Sequence, residues 1–318
     1  MTTYDLAITG GTVVDGTGVP ARRADIGIKD GRITTVGALD GGATRTIDAT
    51  DLIVAPGFVD LHTHYDAQLL WDPSASPSPM HGVTTVFGGN CGFTLAPGSP
   101  EHVDYLSRLM ARVEGIPLPA LQEGVPWDWK SFGDYLDRVE AGGAAVNAGF
   151  LCGHSALRRV VMGEHAVGNA ATDKHLDAME RLLHDALGAG ALGFSSSQAP
   201  THNDGNGDPV PSRAATANEM IRLAAALHDH PGTQLELIIP GCLNGFTDDE
   251  VEMMSAMSIA ADRPLNWNVL GVAAGGNHEH QLEAGTKAAQ RGARVVALTL
   301  PQGMRIRLSF LTGFVLDG

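Results

Sequence analysis

From about residue 52 onward, short apolar runs alternate with longer amphipathic ones, and this rhythm limits the folds open to the chain more than any other feature. Strand-like runs fall at 57–62, 83–88, 145–151, 190–195, 233–239, 264–270 and 293–299. Helical patterns occupy 100–113, 131–140, 172–187, 215–229, 248–260 and 277–290. In the helix at 248–260, Thr247 followed by Glu250 fits a capping box. Strand then helix, repeated, builds parallel sheets, because a parallel neighbour is reached only through a crossover of a dozen or more residues. Seven strands of this kind predict an α/β fold, an incomplete (β/α)₈ barrel. A doubly wound open sheet competes, but it leaves the start of the chain unexplained.

That start, residues 1–53, has a different texture, with short strand patterns separated by glycine turns. Asp25-Ile26-Gly27-Ile28-Lys29 and Arg32-Ile33-Thr34-Thr35-Val36 flank Asp30-Gly31, a tight-hairpin signal. A small N-terminal β unit at 1–53 followed by a barrel at 54–318 is the expected domain division. Two long irregular stretches interrupt the barrel. Residues 114–135 carry Pro117, Pro119, Pro126, Trp127 and Trp129 and read as a crossover loop. Residues 196–213 form a loop after the fourth strand, at the end of a barrel where active sites sit.

Composition narrows the function classes. A net charge of -15, with acidic residues spread along the chain, argues against nonspecific binding to nucleic acid or to an anionic membrane. Three widely spaced cysteines, Cys91, Cys152 and Cys242, argue against a disulfide framework. No basic leader with an apolar core opens the chain, and no apolar run is long enough to span a bilayer, so a cytoplasmic setting is expected.

The first barrel strand ends in Phe58-Val59-Asp60-Leu61-His62-Thr63-His64. Residues i and i+2 of a strand face one side, so His62 and His64 point together, and two imidazoles on one face can grip a transition metal. Two polar residues closing a strand is the plainer reading of the same pair. Around it stand Ala55-Pro56-Gly57, Tyr65-Asp66, His81-Gly82-Val83-Thr84-Thr85-Val86 and Gly89-Asn90-Cys91-Gly92. Together these strings resemble the metal-dependent amidohydrolase superfamily, and within it the N-acyl-D-amino-acid deacylase (D-aminoacylase) group.

The resemblance implies a TIM-type metal-dependent hydrolase barrel, with residues 1–53 as part of a composite β-sandwich. It implies a metal centre of one or two Zn²⁺ ions at His62, His64 and Cys91. Cys91 would serve as a ligand where other amidohydrolases use a carboxylated lysine. The reaction implied is hydrolysis of an amide carbon–nitrogen bond by metal-activated water, on a small N-acyl amino acid or related amide. Asp66, Ser195, His202 and Arg213 are candidate substrate-binding residues. Asn90 is expected to hold a left-handed turn, and His154 has a substrate or metal role open to it. Oligomeric state is left open.

Two departures accompany the resemblance. The group is expected to place a histidine at the ends of the fifth and sixth strands, whereas Gln234–Ile239 and Pro264–Leu270 contain none, and Asn266 and Asn268 share a face. The proton-shuttling aspartate expected on an eighth strand has no evident counterpart after Leu300, so the catalytic base is unassigned. The chain therefore reads as C-terminally incomplete, and an altered or inactive fragment with part of the metal site is the alternative. Taken alone, the chain is expected to be a poor catalyst.

Overall fold

The computed structural model describes residues 2–300, 302 and 303. It divides into two compact units, one running to Phe58 and one starting at Val59.

The first unit is built from β1 (Thr2–Thr9), β2 (Thr12–Val13), β3 (Arg22–Arg23), β4 (Asp25–Lys29), β5 (Arg32–Gly37), β6 (Gly42–Asp48) and β7 (Ile53–Val54). Four strands form a sheet in the order β5-β4-β1-β6, and β3-β2-β7 form a smaller one. The hairpin between β4 and β5 closes with Lys29 opposite Arg32. Its two turn residues, Asp30 and Gly31, both have positive φ, 51° and 70°. That is the requirement of a two-residue turn whose twist matches the strands, and it explains why Asp-Gly was legible there.

β8 (Phe58–Asp60) leads into the second unit, which carries β9 (Val83–Gly88), β10 (Asn147–Phe150), β11 (Cys152–Gly153), β12 (Gly193–Ser197), β13 (Gln234–Ile238), β14 (Leu265–Leu270) and β15 (Val295–Thr299). The helices are α1 (Val103–Val113), α2 (Leu118–Gly124), α3 (Phe132–Gly142), α4 (His154–Met162), α5 (Asp173–Ala189), α6 (Ala217–Ala225), α7 (Gly241–Asn244), α8 (Asp248–Ala261) and α9 (His278–Gln290). Strands neighbour one another in chain order, as β10-β9-β8 and as β11-β12-β13-β14-β15. The registered pairs among them are all parallel. β10 and β11 are one run interrupted at Leu151, whose amide donates to the Gly88 carbonyl at 3.0 Å. This is the parallel (β/α) barrel core that the alternation predicts, with its strand C-termini gathered at one end.

Helices seal the outside of the strands with apolar stripes. Leu176, Met179 and Leu183 of α5, Met220 and Leu223 of α6, and Met254 and Met257 of α8 are all fully or almost fully buried. Each such side chain contributes about 1.5–3 kcal/mol of burial free energy. The capping box at Thr247 and Glu250 is present at the start of α8. No helix among the described residues is long and apolar enough to cross a membrane.

Two helices correct the sequence reading. Inside the expected loop at 114–135 lies α2, which begins after Pro117 and carries Pro119 in its first turn. Proline is tolerated there because the first amides of a helix have no partner to lose. The second, α4, follows β11 directly and buries His154, Ser155 and Arg158 along with Ala156 and Leu157. Polar residues on its inward face hide the apolar periodicity by which a helix is read. The stretch after Leu300, where no eighth strand is expected, lies outside the described residues apart from 302 and 303.

Candidate metal centre

Past β8 the chain runs on without regular structure through His62, Thr63 and His64. Thr63 turns toward β9, its amide and its hydroxyl both donating to the Phe87 carbonyl, at 2.9 and 2.8 Å. The histidines on either side of it come together. Their rings meet edge to face with centroids 5.1 Å apart, and the two Nε2 atoms are 3.2 Å apart.

Cys91 arrives from the end of β9 on a turn of unusual backbone. Gly89 has φ +74° and lies so close to Leu151 that a Cβ there would fall 2.1 Å from its carbonyl oxygen. Only glycine fits. Cys91 has φ +56°, a left-handed conformation that costs a non-glycine residue about 1–3 kcal/mol unless its surroundings hold it. They do so through three amides. Gly89 N–H donates to Asp66 Oδ2 at 3.0 Å, Cys91 N–H to Glu236 Oε2 at 2.7 Å, and Gly92 N–H to Ser195 Oγ at 3.1 Å. Asn90 does not hold the left-handed position expected of it; Gly89, Cys91 and Gly92 do. Its side-chain amide instead ties the turn to the Thr63 and Phe87 carbonyls.

The result places Cys91 Sγ 3.5 Å from His62 Nε2. Among the described residues, one ligand atom from each of His62, His64 and Cys91 lies within 4.8 Å of the others. The Nδ1 atoms of both histidines are buried without a hydrogen-bond partner. Glu114 Oε1 stands 3.3 Å from His64 Nδ1, out of line for a hydrogen bond.

Burial dominates the electrostatics. It lowers His62 below the ordinary imidazole range and His64 well below it, and it raises the Cys91 thiol well above its usual value. The carboxyls close by are displaced upward for the same reason, Asp66 to about 7, Glu114 to about 8, and Glu236 well above the usual range. A divalent cation would reverse the direction for the thiol and the carboxyls, favouring a thiolate and ionised carboxylates, and would reinforce it for the histidines, which bind as neutral imidazoles. Two imidazole nitrogens and a sulfur aimed at one point suit a transition metal.

The remaining sequence candidates distribute as follows. Asp66 is fully buried and bonds the Gly89 amide. Ser195 is fully buried too, accepting from Gly92 and donating to the Gly89 carbonyl. Arg213 donates to the Pro200 carbonyl and to Asn203 Oδ1, at 3.2 and 2.9 Å, within the loop after β12. His202 lies within electrostatic reach of the centre. Its Nδ1 is held by Ser197 Oγ at 2.7 Å, and its charge would be felt by both His62 and His64. His154 is fully buried, with Nδ1 on Ser196 Oγ and Nε2 on Glu219 Oε1. Asn266 donates to the Leu235 carbonyl, whereas Asn268 turns toward Glu236 and toward the side chains of His62 and Cys91. Sequence reasoning missed Glu114 and Glu236. An acidic residue inside the apolar run Leu235-Glu236-Leu237-Ile238 was the available signal for the second, whereas nothing local marks the first.

Residues 45–309 match the model of the amidohydrolase family (Amidohydro_3). The chain belongs to this family. It is 40% identical over 230 residues to the D-aminoacylase of Alcaligenes xylosoxydans xylosoxydans, a match covering 72% of this chain and 43% of that protein. It is 39% identical over 231 residues to the N-acyl-D-aspartate deacylase of the same organism, covering 72% of this chain and 42% of that one. Among solved structures, a D-aminoacylase described by its binuclear metal centre, with one-metal activation and second-metal attenuation, superposes with a TM-score of 0.75. That pair shares 32% identity over 94% of this chain and 59% of the other. The N-acyl-D-glutamate deacylase of Bordetella bronchiseptica, complexed with zinc and a phosphonate inhibitor, gives a TM-score of 0.75 at 29% identity, over 94% of this chain and 59% of that one. The chain spans about two fifths of the length of the curated relatives it matches.

Proposed function

We propose that this amidohydrolase chain carries the metal centre of a hydrolase of amide carbon–nitrogen bonds, with zinc on His62 Nε2, His64 Nε2 and Cys91 Sγ and an N-acyl amino acid as substrate. The observation that carries the reading is the convergence of those three donor atoms within 4.8 Å of one another. When bound, the ion would polarise an amide carbonyl and lower the pKa of a water molecule. The chain's own residues position the donors. Asp66, Glu236 and Ser195 hold the amides of the Cys91 turn, and Glu114 stands beside the outer nitrogen of His64. His202, fixed through Nδ1 by Ser197 and within electrostatic reach of His62 and His64, would contact substrate at the centre. The deacylases among the relatives support the substrate class.

Two measurements test the reading. Zinc at a hundredfold excess over its Kd should raise the unfolding free energy by about 2.7 kcal/mol, and the doubly substituted variant His62→Ala, His64→Ala should show no such gain. With zinc present, slow release of free amino acid from a panel of N-acyl-D- and N-acyl-L-amino acids should exceed that of His62→Ala. Equal release by the two proteins would sink the proposal.

A further inference from the structure

The resemblance leads to the expectation of a histidine at the ends of the fifth and sixth barrel strands. In their place β13 presents Glu236 and β14 presents Asn268, 1% and 3% exposed. These two side chains engage each other, Asn268 Nδ2 donating to Glu236 Oε1. The second carboxylate oxygen of Glu236 accepts the Cys91 amide at 2.7 Å. Both oxygens are thus committed to the chain, one to a neighbouring strand and one to the turn that carries the sulfur ligand. A carboxamide such as Asn268 is in any case a weak ligand for a transition metal, which prefers imidazole and thiolate.

We infer that Glu236 is a positioning residue and not a metal ligand, and that with Asn268 it takes the place of a second ion's ligands, so the centre holds one divalent ion on His62, His64 and Cys91. The inference rests on the metal reading of those three residues. Cys91 sits at φ +56°, a conformation that a fixed acceptor for its amide helps to hold. Glu236 is that acceptor, and Asn268 sets the orientation of the carboxylate.

The chain loaded with Co²⁺ distinguishes the possibilities, because a thiolate ligand adds a sulfur-to-cobalt charge-transfer band. Equilibrium dialysis with elemental analysis should find one cobalt per chain, and Cys91→Ser should remove the band. Glu236→Gln keeps the bond from the Cys91 amide on its carbonyl and, once the Asn268 carboxamide turns over, replaces the other with one from its own amide to Asn268 Oδ1, which has no hydrogen-bond partner. It should therefore retain one ion and the band, with affinity within about tenfold of the parent, whereas Glu236→Ala should bind about 10–100-fold more weakly. Two ions per parent chain would overturn the inference. So would Glu236→Gln losing its ion as completely as Cys91→Ser loses the band, or Glu236→Ala binding as tightly as the parent. A parent that binds no ion would instead overturn the metal reading beneath it.

Discussion

His154 and His62 both follow a strand of the same barrel, and burial pushes both imidazoles toward the neutral form. Around His154, opposite chemistries meet. Ser196 and Glu219 take its two nitrogens, and Arg158 pairs with the same carboxylate while donating to the Ala166 and Asn169 carbonyls. Around His62, like meets like: its Nε2 faces His64 Nε2, and its Nδ1 is buried with no partner. Two imidazoles that converge with both Nδ1 atoms buried and unpartnered are an unfinished arrangement in a protein interior, where an unpaired polar group costs about 1–3 kcal/mol. An ion would complete it. A histidine that has found its partners is part of the scaffold, whereas histidines that converge without partners mark a site.

The sharpest way to break this contrast is to remove Glu219. It leaves Arg158 and His154 buried without their carboxylate, so Glu219→Ala should destabilise the fold by about 3–5 kcal/mol. Chemical denaturation reads the loss, and ion binding by the folded fraction should stay within about twofold of the parent, since by the same contrast the network is scaffold. Loss of the ion with little loss of stability would reverse the two assignments.

His202 shares features of both, bonded like a scaffold residue yet within electrostatic reach of the centre. Burial, with Arg213 and His62 adding to it, lowers its pKa to about 4. Above pH 6.5 it is neutral both folded and unfolded. As pH falls from 6.5 to about 4 the unfolded chain takes up the proton first, so stability drops on this account by at most about 3 kcal/mol. His202→Asn should flatten that part of the pH–stability curve measured in urea. Parallel curves for the two proteins would remove His202 from the buried set.

The smallest expected effect concerns Glu114, whose Oε1 is 3.3 Å from His64 Nδ1. A carboxylate behind a ligating imidazole raises its basicity, so Glu114→Gln should weaken ion affinity about tenfold, near 1.4 kcal/mol. In the ion-free protein the same substitution should stabilise the fold at neutral pH, because it replaces a buried carboxyl displaced to about 8. Unchanged affinity by calorimetry would show that Glu114 takes no part in orienting His64.

Local pattern determined a good deal of this molecule. The barrel strands are short apolar runs, and Val83–Gly88 falls where its periodicity places it. The Asp30-Gly31 hairpin and the Thr247 capping box are decided within four residues of chain, and the meeting of His62 and His64 follows from a separation of two. Tertiary structure decided what surrounds that pair. The Cys91 amide finds Glu236 at a separation of 145 residues, and Asn268 reaches Glu236 across 32. No periodicity spans such distances, and a glutamate inside an apolar strand reads as a blemish until the neighbouring strand ends show what it holds. The same limit hid α4, because His154 and Arg158 point inward only once Glu219 is there to receive them. A side chain's own chemistry is written in its residue type, but whether that chemistry is satisfied or left open depends on partners that only the closed barrel brings within reach.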